Sequence, residues 1–150
     1  MNKFAYKRKL IEKCLEQQDK NILNAKSAMD DIQESAIDYG QPQEHYDSYK
    51  SQLLRKRDVF AKQYEQTKTE RKLLDKIDIG KECKTVGFGA VVITDTQKFI
   101  ICISLGKITF EDETIFGISL KVPLYKVMEG LEKGNTFEFN GKKYQIKDIY

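Results

Sequence analysis

The sequence predicts an α+β protein, in which an N-terminal antiparallel hairpin of two long helices precedes a small antiparallel sheet with one short helix. Apolar residues of the first half repeat at helical spacing, and short β-rich runs between glycines fill the second half. The turn signal "YGQP" separates two helical segments. We expect residues 1–78 to form a coiled-coil hairpin and residues 79–150 a globular domain.

The composition is that of an ordinary globular protein. The chain has 150 residues, a formal net charge of +3, 33% charged and 40% hydrophobic residues. Its longest apolar runs are too short to cross a bilayer, and its first residues lack the apolar core of a signal peptide. We therefore expect a cytoplasmic protein that does not associate with membranes.

With one His and no Cys-x-x-Cys, a zinc site is not expected, and Cys14, Cys83 and Cys102 are interpreted as reduced structural thiols.

The first predicted helix covers residues 5–38. A heptad seam repeats through it with alternating steps of four and three residues, and a single polar residue interrupts the seam. Its members are Ile11, Leu15, Gln18, Ile22, Ala25, Met29, Ile32 and Ala36. No Gly or Pro precedes Gly40. At about 1.5 Å per residue, such a helix is roughly 50 Å long.

The second predicted helix covers residues 43–77. Five residues spaced by seven mark its seam: Tyr46, Leu53, Phe60, Thr67 and Leu74. Gly40 suits the left-handed conformation that ends a helix, and Pro42 suits the start of the next one. Long helices joined by a short turn pack as an antiparallel pair.

The second half contains five runs that we expect to be strands, at residues 90–94, 99–105, 115–120, 136–139 and 144–150. Residues 122–134 are predicted to form one short helix, with Pro123 in its first turn and Gly134 after it. Asn140–Gly141 lies between two alternating segments, which is a strong hairpin signal. No pattern in the sequence indicates a deep aromatic pocket.

Charge is segregated along the chain. Between Ser27 and Tyr49 there is no Lys or Arg, and this window holds six acidic residues: Asp30, Asp31, Glu34, Asp38, Glu44 and Asp47. A helix dipole favours acids at the start of the second helix and opposes them at the end of the first. Helix stability therefore accounts for only some of these acids, and we interpret the tip as a surface that meets a cation or a basic channel.

Glu44 and Asp47 are the candidate catalytic and metal-binding residues. Two carboxylates three residues apart on a helix share one face, and magnesium accepts one or two carboxylates together with water and phosphate. Such a pair completes a site that another protein supplies, as in two-metal phosphodiester hydrolysis. Asp38 is a secondary candidate. His45 is interpreted as a surface residue, with a phosphate or RNA contact as the alternative.

Over essentially its whole length, the chain resembles the GreA/GreB transcript-cleavage factors of bacterial RNA polymerase, and the most specific similarity is C-terminal. "TVGFGAVVITD" is similar to the opening strand of that family, and "ISLKVPLYKVMEGLEKGNTFEFNGKKYQIKDIY" is similar to its closing pattern. The matching positions are Ile118, Ser119, Pro123, Leu131, Gly134, Tyr144, Ile146 and Ile149. The order of a helical hairpin followed by a globular domain also matches.

This resemblance implies an FKBP-like globular domain that docks on the rim of the polymerase secondary channel. It implies that the hairpin enters the channel, where Glu44 and Asp47 support the second magnesium and promote cleavage of backtracked RNA, meeting the nascent RNA 3′ end indirectly. The magnesium belongs to the polymerase active site, so the chain has no cofactor of its own. The resemblance implies a factor that stimulates the nuclease activity of the polymerase, rather than an enzyme or a prolyl isomerase, and we expect it to be a monomer.

The tip departs from the usual loop of the family, Asp-x-x-Glu-Asn-x-Glu-Tyr. In "EHYDSY", Glu44 and Asp47 take the Asp and Glu places with their identities exchanged, or Glu44 matches the inner Glu and the leading acid falls on Gln41. A factor that docks in the same way and only blocks or regulates the channel is the alternative. A third interpretation is a nucleic-acid-binding coiled coil that uses the basic runs 7–9 and 55–57; since such runs are usually solvated faces, we expect only weak, salt-dependent DNA binding.

Overall fold

The computed structural model describes the backbone of residues 2–38 and 47–150, and the side chains of residues 2–35 and 48–150. The chain divides by packing into two compact units. We call residues 1–17 and 73–150 the globular unit and residues 18–72 the hairpin unit. The predicted domain boundary after residue 78 stays a prediction, because packing does not test which part folds on its own.

Two long helices form as expected. Helix α1 spans Lys3–Asp38 and helix α2 spans Asp47–Asp75. Neither range contains Gly or Pro, the two residues that most disfavour a helix interior, so each helix continues without a break. Helix α1 contributes residues to both units.

Within the hairpin unit the two helices run antiparallel. The amide Nε2 of Gln18 donates a hydrogen bond of 2.8 Å to the backbone oxygen of Thr67. Next to it, Arg71 Nε donates to Asp19 Oδ1 at 2.9 Å. Further along α1, Ile32 lines a groove with Arg55, Lys56, Val59 and Phe60 of α2. Because partner numbers in α2 fall as those in α1 rise, the predicted antiparallel hairpin is confirmed.

The globular unit contains a six-stranded sheet and one short helix. The elements in chain order are β1 Val91–Thr94, β2 Lys98–Cys102, β3 Gly106–Phe110, β4 Glu113–Ser119, α3 Pro123–Met128, β5 Thr136–Phe139 and β6 Lys142–Ile149. In space the strands lie in the order β3-β4-β2-β1-β6-β5. The predicted α+β fold class is therefore confirmed.

The sheet differs from the predicted antiparallel one at a single pair. Strands β2 and β4 are parallel, with Ile100 opposite Gly117, and the remaining pairs are antiparallel. The reason is β3, an element that the sequence did not predict. Strand β3 forms an antiparallel hairpin with β4. The chain therefore reverses once between β2 and β3 and again between β3 and β4, which gives β4 the direction of β2. Gly106, with φ of 69°, lies at the start of β3.

Two tight turns connect neighbouring strands. Asn140 and Gly141 have φ of 53° and 76° and join β5 to β6, so the predicted hairpin is confirmed. Glu111 and Asp112, with φ of 49° and 62°, form the equivalent turn between β3 and β4. Helix α3 is shorter than the predicted range 122–134, because Gly130 at φ of 77° follows its C-cap.

The core of the globular unit lies on both faces of the sheet. Residues that alternate along a strand go to opposite faces, as Val91 and Val92 show. One face packs against the beginning of α1, the end of α2 and the residues that follow it, through Leu10, Ile11, Cys14, Leu74 and Ile77. The other face packs against α3 through Tyr125 and Met128, and it includes Phe137 of β5 and Tyr144 of β6. The three cysteines are free thiols.

Candidate functional site

The acidic end of α1 is the part of the candidate site that the structure describes. The side chains of Asp30, Asp31 and Glu34 are exposed on its last turns. Ser35 Oγ donates to the backbone oxygen of Asp31 at 2.9 Å. The last turn of α1 contains no basic residue, although the helix dipole favours a cation there. The described acids thus form a solvated, negatively charged surface.

Of the predicted magnesium ligands, the structure describes only part. Asp38 is the last residue of α1 and Asp47 the first of α2, and only their backbone is described. Glu44 and His45 lie outside the described residues. The pairing of Glu44 with Asp47 therefore stays a prediction. Among the described residues no cluster of three acidic, His or Cys side chains forms a metal site.

An apolar groove runs beside the acidic end of α1. Ile32 contributes one wall, and Val59 and Phe60 of α2 contribute the other, enclosing about 410 Å³. Val59 is 54% exposed. Arg55 and Lys56 also line the groove, so its lining combines apolar side chains with two basic ones.

The two basic runs have different environments. Arg57 pairs with Asp58 at 2.9 Å on the surface of α2. Lys7, by contrast, is only 1% exposed within the globular unit. The expectation that the run 7–9 is a solvated basic face is therefore wrong at Lys7, whose ammonium group lies among backbone oxygens.

The C-terminal residues that carry the family resemblance serve the fold. Tyr144, Ile146 and Ile149 are buried in the core of the globular unit, and Pro123 opens α3. Gly134 has φ of 92°, in the region that favours glycine. These positions determine the sheet and its helix, whereas the residues proposed to act on RNA lie in the hairpin.

A pocket of about 380 Å³ on the globular unit was not expected from the sequence. Four aromatic side chains line it, with Gln97, Asn140 and Lys142 as polar neighbours: Phe99, Phe116, Phe139 and Tyr144. The Lys142 ammonium lies 5.3 Å from the centre of the Tyr144 ring. The aromatic residues come from β2, β4, β5 and β6, which are separate in sequence, so no local pattern could reveal the pocket.

Comparison with known proteins gives limited similarity. A scan against protein families finds no match, and no curated protein matches the chain. Among solved structures, the GreA factor homolog 1 (Gfh1) protein of Thermus thermophilus has a TM-score of 0.35 at 13% identity, covering 95% of this chain and 93% of that chain. A second structure, of the transcription factor Gfh1, has the same identity and TM-score over 95% and 92% of the two chains. At these values the likeness carries no conclusion about function.

In the part of the chain that the structure describes, no helix is long and apolar enough to cross a membrane.

Proposed function

We propose that this protein is a transcription elongation factor that binds bacterial RNA polymerase and inserts its helical hairpin in the secondary channel. The observation that carries the proposal is the antiparallel pairing of α1 and α2, established by the Gln18–Thr67 and Asp19–Arg71 contacts. In the sequence, the acidic segment lies between these two helices. An acidic hairpin end suits delivery of oxygen ligands to a site that a larger enzyme holds.

The proposed action is stimulation of RNA cleavage in backtracked complexes. Glu44 and Asp47 would supply carboxylate oxygens to the second magnesium of the polymerase, which assists attack by water on the phosphodiester. Cleavage is then an activity of the polymerase, and this chain contributes ligands rather than a complete catalytic site. The globular unit is the proposed docking half, since the family resemblance is strongest there.

A factor that occupies the channel without promoting cleavage is the second candidate. The observation that favours it is the tip sequence "EHYDSY", in which the order of the two acids differs from the family loop. In that case the negative charge of the hairpin end would exclude substrate or RNA from the channel by repulsion.

A cleavage assay on stalled elongation complexes separates the two candidates. The double variant Glu44→Ala/Asp47→Ala should lose stimulated cleavage, while its affinity for the polymerase in a competition assay changes little. Removal of exposed acids usually alters stability by about 0.5 kcal/mol or less, so the variant should remain folded.

The matched control is Asp31→Ala/Glu34→Ala, which removes two exposed acids from α1 and should retain cleavage. If the Glu44/Asp47 double variant cleaves as well as the unmodified protein, the ligand role is wrong. If the unmodified protein binds the polymerase and inhibits synthesis without cleavage, the channel-blocking factor is correct.

A further inference from the structure

A lysine and a cysteine meet inside the globular unit at a distance that permits reaction between them. Lys7 Nζ lies 3.6 Å from Cys83 Sγ. Its other acceptors are the backbone oxygens of Lys81, at 3.2 Å, and Tyr150, at 3.4 Å. No carboxylate is among these acceptors. Because Lys7 is 1% exposed, its long side chain is held against the sulfur rather than free in solvent.

The sulfur is also accessible from outside. Cys83 is partly exposed and lines a pocket of about 200 Å³ next to Lys3, Lys84 and Lys133. Both acids of this pocket, Glu82 and Asp148, contact Lys3, at 3.6 and 3.3 Å. A small oxidant that enters this pocket comes next to Cys83.

The other two thiols are not accessible to solvent. Cys14 and Cys102 are 0% and 2% exposed, in the core between α1 and the sheet. Contact with Cys102, followed by burial, raises the pKa of Cys14 and keeps it a neutral thiol. Susceptibility to oxidation follows exposure, so Cys83 is the site where an oxidant acts first.

We infer that Lys7 and Cys83 form a redox modification site, at which a hydroperoxide drives a covalent sulfur–nitrogen bridge between the two side chains. First, Cys83 Sγ attacks the peroxide, the oxygen–oxygen bond breaks, and a sulfenic acid and an alcohol (water, from hydrogen peroxide) result. The sulfur loses two electrons, which the peroxide gains.

Lys7 Nζ then completes the bridge. The ammonium first gives one proton to water and becomes a neutral amine. The amine attacks the sulfenic sulfur, a nitrogen–sulfur bond forms and the sulfur–oxygen bond breaks, and a second proton passes from nitrogen to the leaving hydroxide, which departs as water. The product is a sulfenamide of the kind that sulfenic acids form with backbone nitrogen. The flexible four-carbon stem of lysine allows Nζ to close the remaining distance.

The bridge links the beginning of α1 to the segment that follows α2. A cross-link between such distant positions restricts the unfolded chain, so the oxidised protein should resist unfolding more than the reduced one. A thiol reductant should reverse both the bond and the gain in stability.

Peptide mass mapping of the full-length protein after treatment with dilute hydrogen peroxide tests the inference. The expected product is a cross-linked peptide pair that contains Lys7 and Cys83, lacks two hydrogen atoms relative to the separate peptides, and is cleaved by dithiothreitol. Its formation should coincide with a higher thermal midpoint. Lys7→Arg keeps the positive charge and Cys83→Ser keeps the size, and neither should give the product.

Three results would overturn the inference: Cys83 carrying added oxygen without a cross-link, a disulfide in place of the bridge, or the same mass change in the Lys7→Arg variant. If either variant fails to fold, the peptide map of the unmodified protein still decides, because it identifies the two bonded residues directly.

Discussion

Gln18 is the polar residue that interrupts the heptad seam, and its replacement tests the packing of the hairpin unit. Its side chain is 1% exposed. Nε2 donates to Thr67 O at 2.8 Å, and Oε1 accepts a hydrogen bond of 3.1 Å from Asn21. A buried polar residue at a seam position fixes the register of two helices, because one alignment alone satisfies its hydrogen bonds.

Gln18→Ala should lower the free energy of unfolding by about 2 kcal/mol. The lost hydrogen bond contributes about 1 kcal/mol. The unfilled volume contributes roughly 1–2 kcal/mol more, and the higher helix propensity of Ala offsets a few tenths of a kcal/mol. Gln18→Leu preserves most of the volume, so it should lose mainly the hydrogen bond, at a cost of about 1 kcal/mol.

Urea titration followed by the helical circular dichroism signal measures both changes. The control is Gln33→Ala, the same substitution at an exposed position of α1, which should change stability by about 0.5 kcal/mol or less. If Gln18→Ala costs no more than this control, Gln18 is not held between the helices and the register argument fails. If Gln18→Leu costs as much as Gln18→Ala, the hydrogen bond outweighs the packing and the magnitudes above are wrong.

Two further predictions concern the globular unit. Gly117→Ala should lower the free energy of unfolding by roughly 1–3 kcal/mol in a urea titration, because the new Cβ would lie 2.9 Å from Leu105 Cβ. The control is Gly87→Ala, whose new Cβ would meet no atom within 4 Å. Equal losses of stability in the two variants would contradict the steric reason. Burial raises the pKa of Tyr6 to about 12 from 10.0, so the folded state disfavours the phenolate, and the stability that is fully present below pH 10 should fall as pH rises from 10 to 12. In Tyr6→Phe, the thermal midpoint should fall less across this pH range than in the unmodified protein. The variant should be as stable as the unmodified protein at neutral pH, because the buried hydroxyl has no hydrogen-bond partner among the described residues. An unchanged pH profile would show that Tyr6 does not cause the loss of stability.

The sequence predicted the two long helices, their antiparallel pairing and the β5–β6 hairpin, because each of these is determined by residues close together in the chain. The helices follow from an apolar repeat inside uninterrupted helix-forming sequence, and the β5–β6 hairpin follows from Asn140–Gly141, whose backbone accepts positive φ. The antiparallel relation of α1 and α2 follows from the short connection between them. In each case the cause lies within a few residues of the element.

The missed features depend on contacts between distant residues. In β3, buried Ile108 and Phe110 alternate with exposed Lys107 and Thr109, a usable strand signal, but the following turn at Glu111–Asp112 lacks the glycine that marks most hairpins. Without β3, the parallel pairing of β2 with β4 could not be deduced. Lys7 gave no sign of burial, because its acceptors lie more than 70 positions away in sequence.

The candidate site differs from both groups of features, because its proposed role depends on a second molecule, the polymerase. Helix stability does not account for Asp30, Asp31 and Glu34 at the end of α1, where the dipole opposes negative charge and the side chains are exposed. A pair of carboxylates such as Glu44 and Asp47 holds magnesium weakly without further oxygen ligands. A charge distribution that disfavours the isolated hairpin becomes favourable when the end of the hairpin meets a metal ion held by a partner, and the cleavage assay with matched acid-to-Ala variants therefore tests the role of the tip directly.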